Sequence, residues 1–453
     1  MNIDTSIFTM EKYRLKDIAT VKISSVDKKK KEGETNVRLC NFTDVYYNWA
    51  ITKDRHENFM EATANSKEIN NFLLKKGQVA LTKDSETRFD IGISTYIAND
   101  FEDVILGYHC ALITPDETKV LGCYLNAFLH SDMSRKYFAN SASGSGQRYT
   151  LSVQTIEDMP VLLPSIEEQM RMGELLSNID RKIEINRSLN HNLEAMAKQL
   201  YDYWFVQFDF PNEEGKPYKS NGGKMVWNEK LKREIPDGWF ASNICKIANI
   251  LSGGTPSKAV SEYWEHGVIP FFSPTDCNGN IFQIETADHI TQDGLNHCAS
   301  SLFEEGTIII TARGSIGKLV IVGTPMAMNQ SCYALLSKEG EYGYLYFLTI
   351  QLIECLKAKG NGSVFKSIIA SDIETSLLCI ANGETITRFC TTISPLLQKI
   401  KQNTLEVLEL TKRRDELLPL LMNGQVSLNY DLSAFNSVFS QTILSIALLA
   451  VAV

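Results

Sequence analysis

Leu73-Leu74-Lys75-Lys76-Gly77-Gln78-Val79-Ala80-Leu81-Thr82 and Leu302-Phe303-Glu304-Glu305-Gly306-Thr307-Ile308-Ile309-Ile310-Thr311 are two versions of one pattern, 229 residues apart. In each, a charged pair and a glycine precede a short apolar, β-branched run, as in a buried strand entered through a turn. The same offset of 229 carries Ile18-Ala19 onto Ile247-Ala248. Further along, an offset of 217 carries Ile156-Glu157 onto Ile373-Glu374, Ile183 onto Ile400, Asn186 onto Asn403 and Leu193 onto Leu410. The first copy therefore holds 12 extra residues, expected in Lys83 to Gly92 and the loops beyond. Matches in constant order and spacing imply an internal duplication. Around these strands the early part of each copy reads as a mixed α/β globule, with Pro270 to Asn280 expected as loop.

After each globule the texture changes. Pro164-Ser165-Ile166-Glu167-Glu168 offers a helix start, with Ser165 as N-cap and Glu168 closing a capping box. A 4-3 seam follows at Met172, Leu176, Ile179, Ile183, Asn186, Asn190, Leu193, Ala197 and Leu200. The second copy repeats it at Phe389, Ile393, Leu396, Ile400, Asn403, Val407, Leu410, Arg414 and Leu417, and Pro419 and Gly424 are expected to stop that helix. Helices of this kind, roughly 45 Å long for 30 residues, have the dimension of a spacer. Long matched seams favour antiparallel pairing over two helices packed separately on their own domains. Asn186, at the midpoint of the first seam, is expected to meet Asn403 across the coil. The fold class is thus α/β mixed: two pseudo-repeated domains, joined and followed by long helices that form an antiparallel coiled coil.

The 453 residues are too many for one ordinary core. A hydrophobic share of 44% and a charged share of 22% are those of folded globular proteins. A net charge of -9 argues against a chain that wraps nucleic acid unaided. Ten cysteines stand singly and no secretory signal is visible, so a reducing cytoplasm is expected. The apolar tail Ile443 to Val453 has 11 residues, too few for a bilayer that needs about 20, so no membrane partner is expected. Histidines show no metal-ligand spacing, and neither [DN]-P-P-[YFW], G-x-S-x-G nor H-E-x-x-H occurs. No catalytic residue and no metal site is therefore assigned.

Thr311-Ala312-Arg313-Gly314-Ser315-Ile316-Gly317-Lys318 resembles a phosphate loop but fails its spacing, with Leu319 where Ser or Thr would bind magnesium. A strand end, glycine turn and return strand explain its glycines; the functional alternative is that Thr311, Arg313 and Lys318 meet DNA phosphates or a guanine edge. Each copy also has a small-residue loop before its final strand. These are Gly144-Ser145-Gly146-Gln147-Arg148-Tyr149 and Gly360-Asn361-Gly362-Ser363-Val364-Phe365-Lys366. Their recurrence makes Gln147, Arg148, Asn361 and Lys366 candidate DNA contacts, against the alternative of plain flexible hairpins. Lys28-Lys29-Lys30-Lys31 reads as a solvated run, the alternative being that near a DNA face it adds salt-sensitive affinity.

The chain resembles the specificity subunits of bacterial Type I restriction-modification systems over about residues 10 to 428. The resemblance is carried by the two-copy plan, by Leu162-Leu163-Pro164-Ser165-Ile166-Glu167-Glu168-Gln169 and by Ile235-Pro236-Asp237-Gly238-Trp239. Leu251-Ser252-Gly253-Gly254-Thr255-Pro256 and Leu417-Leu418-Pro419-Leu420-Leu421-Met422-Asn423-Gly424-Gln425-Val426 complete it. It implies target-recognition domains at 10–160 and 235–380, spacer helices at 165–205 and 384–424, and an atypical tail at 429–453. It also implies a non-catalytic reader of a bipartite site on double-stranded DNA, with two modification subunits and restriction subunits as partners. S-adenosylmethionine, ATP and magnesium would then sit on those partners, with no cofactor in this chain. A coiled-coil scaffold that reads no DNA, and a self-sufficient methyltransferase or nuclease, are the competing classes. The second helix departs from the pattern: Ala381-Asn382-Gly383-Glu384 lacks the Pro-rich, Glu-Gln start of the first.

Overall fold

A computed structural model describes residues 9–144, 147–359 and 367–426, and the chain divides into two compact units, Met1–Ile183 with Glu409–Val453, and Glu184–Leu408. The tail at 429–453 lies outside the described residues.

In the first unit a five-stranded sheet runs in the order Ala19–Ile23, Cys110–Pro115, Val79–Thr82, Ser94–Ile97, Ala50–Ile51. A three-stranded sheet of Met60–Ala64, Thr35–Cys40 and Val104–Leu106 lies with it, and Leu39, Ile51, Leu74, Ala80, Ile105 and Leu112 share one buried cluster. The second unit repeats this plan. Its large sheet is Ala248–Ser252, Cys332–Ser337, Ile308–Thr311, Leu319–Val322, Phe282–Gln283, and its small one Asp288–Ile290, Ile269–Phe272, Ala327–Met328. Strand directions agree too: in each large sheet only the last pair is parallel. The apolar strand Val79–Thr82, buried at every position like Ile308–Thr311, sits at the centre of its sheet because both its faces are covered.

The ladders locate the extra residues. Val79 faces Ile113 and Ile308 faces Leu335, so an offset of 229 (79 to 308) becomes 222 (113 to 335). Between these strands, Tyr96 and Ile321 stand in equivalent places at an offset of 225. The first insertion thus follows the central strand, in the stretch from Lys83 onward. Pro270 to Asn280 is not all loop: Phe271 and Phe272 are buried in the middle strand of the small sheet, and Pro270 faces His289. The two phenylalanines overrule the turn signal of the proline.

Each globule is closed by a two-stranded ribbon, Glu11–Arg14 with Pro160–Leu163 and Phe240–Ser242 with Leu378–Ile380, which hands the chain to a long helix. The first, Ile166–Tyr201, begins with Glu168 N donating to Ser165 Oγ at 3.3 Å. The box is not completed by the Glu168 carboxylate, which meets Arg171 at 3.3 Å. Instead buried Gln169 ties the helix to its globule, donating to Lys119 O and Pro164 O at 3.0 Å each and accepting from Leu121 N at 2.9 Å. The second helix, Gly383–Met422, starts on Asn382, whose Oδ1 accepts from Thr385 N at 2.9 Å. It passes through Pro419, because buried Leu418, Leu421 and Met422 hold its last turn in place, and ends where Gly424 takes φ +67.

Within the second unit the two helices run antiparallel. Asn403 Nδ2 donates to Asn190 Oδ1 at 2.9 Å, Asn190 Nδ2 to Thr404 Oγ1 at 3.1 Å, and Asn186 Nδ2 to Glu406 Oε2 at 2.8 Å. Asn186 and Asn403 are therefore not partners: the helices are unequal, with 36 and 40 residues, so their midpoints do not coincide. Of the seam, Ile179, Ile183, Asn186, Ile400, Asn403 and Leu410 are buried, while Leu193 and Leu396 are partly buried; the neighbouring Leu397 is buried beside Gly343 of the helix Tyr342–Lys359. In the first unit Arg414 meets Asp180 at 3.7 Å and lies 5.2 Å over the ring of Trp49. His130 stacks on that tryptophan at 4.5 Å; burial pushes its pKa down to about 4, so it donates to Ser94 O at 2.8 Å as a neutral ring.

The first long helix runs on into a π turn, Asp202–Val206, which swings Tyr201, Trp204 and Phe205 into one aromatic cluster with Trp239, Tyr344 and Phe389. Phe205 lies 4.8 Å from Tyr344 and 4.9 Å from Phe389, so the connecting segment is anchored by rings.

Asn403 Oδ1 is buried without a hydrogen-bond partner, so the asparagine pair fixes register at a cost. Replacing Asn190 and Asn403 together with leucine is expected to raise the melting temperature, whereas Asn190→Leu alone, which strands the amide of Asn403, costs about 1–3 kcal/mol of stability and lowers it. Thermal melts of the three proteins check the order.

Candidate nucleic-acid interface

The candidate residues gather at one place in each copy: the turn that leaves the central strand. In the second copy the strand ends at Thr311, whose side chain is fully buried. Its hydroxyl donates to Ser315 O and accepts from Lys318 N at 3.0 Å, while Gly317 N donates to Thr311 O at 2.8 Å. Thr311 is thus removed from the candidate contacts: its donor and acceptor capacity is consumed inside the turn. The glycines serve this geometry, with Gly314 at φ +77 and Gly317 at φ +75, where a side chain would be strained. The return strand Leu319–Val322 pairs antiparallel with Ile308–Thr311, so the phosphate-loop likeness dissolves into a hairpin.

What the hairpin presents is charge. Arg313 is exposed and makes no hydrogen bond or ion pair among the described residues. Lys318, also exposed, donates to Cys277 O at 3.3 Å. Asn361 and Lys366, candidates on the glycine loop of this copy, lie outside the described residues. Ile368, just beyond, donates its N–H to Ala312 O at 3.0 Å, so the chain returns from that loop directly onto the turn.

The first copy builds the same turn. Thr82, fully buried, accepts from Ile93 N at 3.0 Å, and Gly92, at φ +77, donates to Thr82 O at 3.1 Å. A Cβ at Gly92 would fall 2.4 Å from the Phe138 ring. Within the turn, Asp84–Ser85 adds a strand to the hairpin Ser143–Gly144 and Tyr149–Thr150, which carries Arg148 and exposed Gln147. Arg148 Nη2 lies 2.6 Å from His109 Nδ1 and 3.5 Å from Asp84 Oδ2, and Lys83 Nζ lies 2.9 Å from the same carboxylate oxygen. His109 Nδ1 is 2.6 Å from it as well. Burial pushes the Asp84 carboxyl upward, but hydrogen bonds from Thr150, His109 and Lys83 overrule it and hold the pKa below the ordinary carboxylate value. Asp84 is therefore a buried anion that gathers three basic side chains at a surface. Arg88 lies 5.2 Å over the Tyr149 ring on the same hairpin.

Lys83, Asp84 and His109 were not singled out in the sequence, although the alignment of Thr82 with Thr311 sets Lys83-Asp84 against Ala312-Arg313. His109 had no such signal; the strand Cys110–Pro115 beside the central one brings it in. The lysine run is partly neutralised, Lys30 by Glu61 at 2.9 Å and Lys31 by Asp27 at 3.6 Å. Among the described residues no cluster of His, Cys, Asp and Glu could hold a metal ion, and no helix is long and apolar enough to cross a membrane.

Against this geometry the likeness to known proteins is specific. The family model of the Type I restriction modification DNA specificity domain matches residues 9–195 and again residues 236–409. The specificity subunit of the Type I restriction enzyme MjaIX of Methanocaldococcus jannaschii is 26% identical over 317 residues, covering 66% of this chain and 68% of that protein. That of the enzyme HindI of Haemophilus influenzae is 23% identical over 405 residues, covering 78% and 87%. Among solved structures, the S subunit of the Type I restriction-modification system of M. genitalium superposes with a TM-score of 0.57 over 92% of this chain and 96% of that one, at 15% identity. The chain belongs to the family of Type I restriction-modification specificity subunits.

Thr82→Val and Thr311→Val each leave a turn N–H without its acceptor inside the protein. Each is expected to cost about 1–3 kcal/mol, read as a lower unfolding midpoint in denaturant, with Thr311→Val the more costly because it also removes the donor to Ser315 O.

Proposed function

We propose that this chain is the DNA-reading, non-catalytic subunit of a Type I restriction-modification complex, recognising a bipartite target on double-stranded DNA. One half is read by residues 10–160 and the other by residues 235–380, with the long helices as the spacer. Two modification subunits, which methylate adenine with S-adenosylmethionine, and restriction subunits, which use ATP and magnesium, are its partners in the cytoplasm. The observation that carries this reading is the duplicated turn: in each copy the buried central strand ends in the same threonine and glycine lock, and an exposed arginine stands beside it, Arg148 from the glycine hairpin in one and Arg313 from the turn itself in the other. The family relationship supports it. The net charge of -9 is compatible with it because partner subunits can supply much of the phosphate contact.

A purified complex of this chain with its neighbouring gene products is expected to retain one duplex sequence over others, with an affinity that falls linearly in the logarithm of salt. Lys318→Ala, at a phosphate contact, should weaken all sequences alike and flatten that slope by about 1. A scaffold would retain no duplex with or without partners, and a self-sufficient enzyme would modify or cut DNA alone.

A further inference from the structure

Two backbone positions of the turns are interchangeable between the copies. Lys83 N donates to His109 O at 2.9 Å and Lys83 O accepts from Leu151 N at 2.8 Å; Ala312 N donates to Ser331 O at 2.8 Å and Ala312 O accepts from Ile368 N at 3.0 Å. These offsets, 229 for 83 to 312, 222 for 109 to 331 and 217 for 151 to 368, are those of the strand ladders and of the helices. The next residue is therefore the same site in both copies, and it holds Asp84 in one and Arg313 in the other. The charge is reversed. In the second copy the arginine grows from the turn itself; in the first, the turn supplies a carboxylate, and the arginine arrives from the glycine hairpin as Arg148.

The tether leaves Arg148 usable. Its contacts with His109 and Asp84 run through Nη2, and Nη1 and Nε have no partner among the described residues. Its side chain is 58% exposed, whereas that of Asp84 is 8% exposed. A guanidinium held through one nitrogen loses little further rotamer freedom on binding, and Nη1 together with the Nη2 hydrogen not used in the tether is the end-on fork that remains. A phosphate contact would gain little from such an arrangement, since the nearby carboxylate lowers the local positive charge. A guanine edge, with O6 and N7 as paired acceptors, gains from fixed orientation.

We propose that Arg148 and Arg313 are the equivalent guanine-reading groups of the two domains, with Asp84 and His109 positioning Arg148 and no counterpart of that pair beside Arg313 among the described residues. This rests on the DNA-reading function proposed above. The two halves of the target are read from one structural site by differently supported arginines, which gives one fold two recognition chemistries.

The test uses the assembled complex and selection from duplexes randomised over the target, with the methylated-adenine motif mapped in cells carrying each variant. Arg148→Ala and Asp84→Asn should each relax the same single base pair, a G·C pair in one half of the target, by about tenfold in discrimination. Preferences elsewhere should stay unchanged, a result that a merely structural role of Asp84 would not produce. Arg148→Lys, which keeps the charge and loses the fork, should relax that pair as well, and this variant serves if Asp84→Asn melts early. Arg313→Ala should relax one G·C pair in the other half. Variants that leave both base preferences intact, or that weaken all sequences uniformly, overturn the inference while leaving the two-half reader standing. A wild-type complex with no sequence preference would overturn that reader and the inference together.

Discussion

A threonine hydroxyl at the end of the central strand governs what each globule shows at its surface. Thr82 and Thr311 are buried, and each accepts a backbone N–H from beyond the glycine, at 3.0 Å in both copies. The hydroxyl fills the place that the next ladder bond would have taken, so the strand can stop and turn without leaving a buried donor orphaned. From that point the chain is free to vary. The first copy uses its additional residues there for a third strand and an ionic cluster; the second makes a short hairpin whose arginine has no partner among the described residues. A constant lock below and variable chemistry above lets one duplicated fold present two different surfaces.

The helices impose the complementary constraint. Each starts where a two-stranded ribbon closes its globule, so the helix origin is set by the same ladder that completes the domain. Asparagines in the seam then restrict how the helices can slide, because any shift separates Asn403 from Asn190 and leaves amides buried without partners. The aromatic cluster around Phe205 fixes the segment that leaves the first helix. These features hold geometry, while the turns hold chemistry.

The duplication was legible in the sequence because a buried central strand tolerates little besides large apolar residues, so Val79-Ala80-Leu81 and Ile308-Ile309-Ile310 kept a common signature. The helical seams were legible for the same reason. The asparagine partners were not, since register in an antiparallel pair depends on helix lengths and end points that a seam pattern does not contain. Thr311 is a polar residue at a strand end whose sequence suggests availability to a ligand, whereas the turn around it takes up its hydroxyl. Arg313 could be picked out by its neighbours, but the cluster of Asp84, His109 and Arg148 comes from three separate segments and only the ladders assemble it. Pro419 failed as a stop signal because the apolar face of its turn is buried.

The most direct measurement is a domain exchange: residues 10–160 are replaced by the matching segment of a relative with a different target, and methylated adenines are mapped across the genome of cells carrying the hybrid with its modification subunits. The account predicts that one half of the bipartite motif takes the donor's sequence while the other half and the spacing stay as they were. A motif altered throughout, or one uninterrupted target in both proteins, would contradict it.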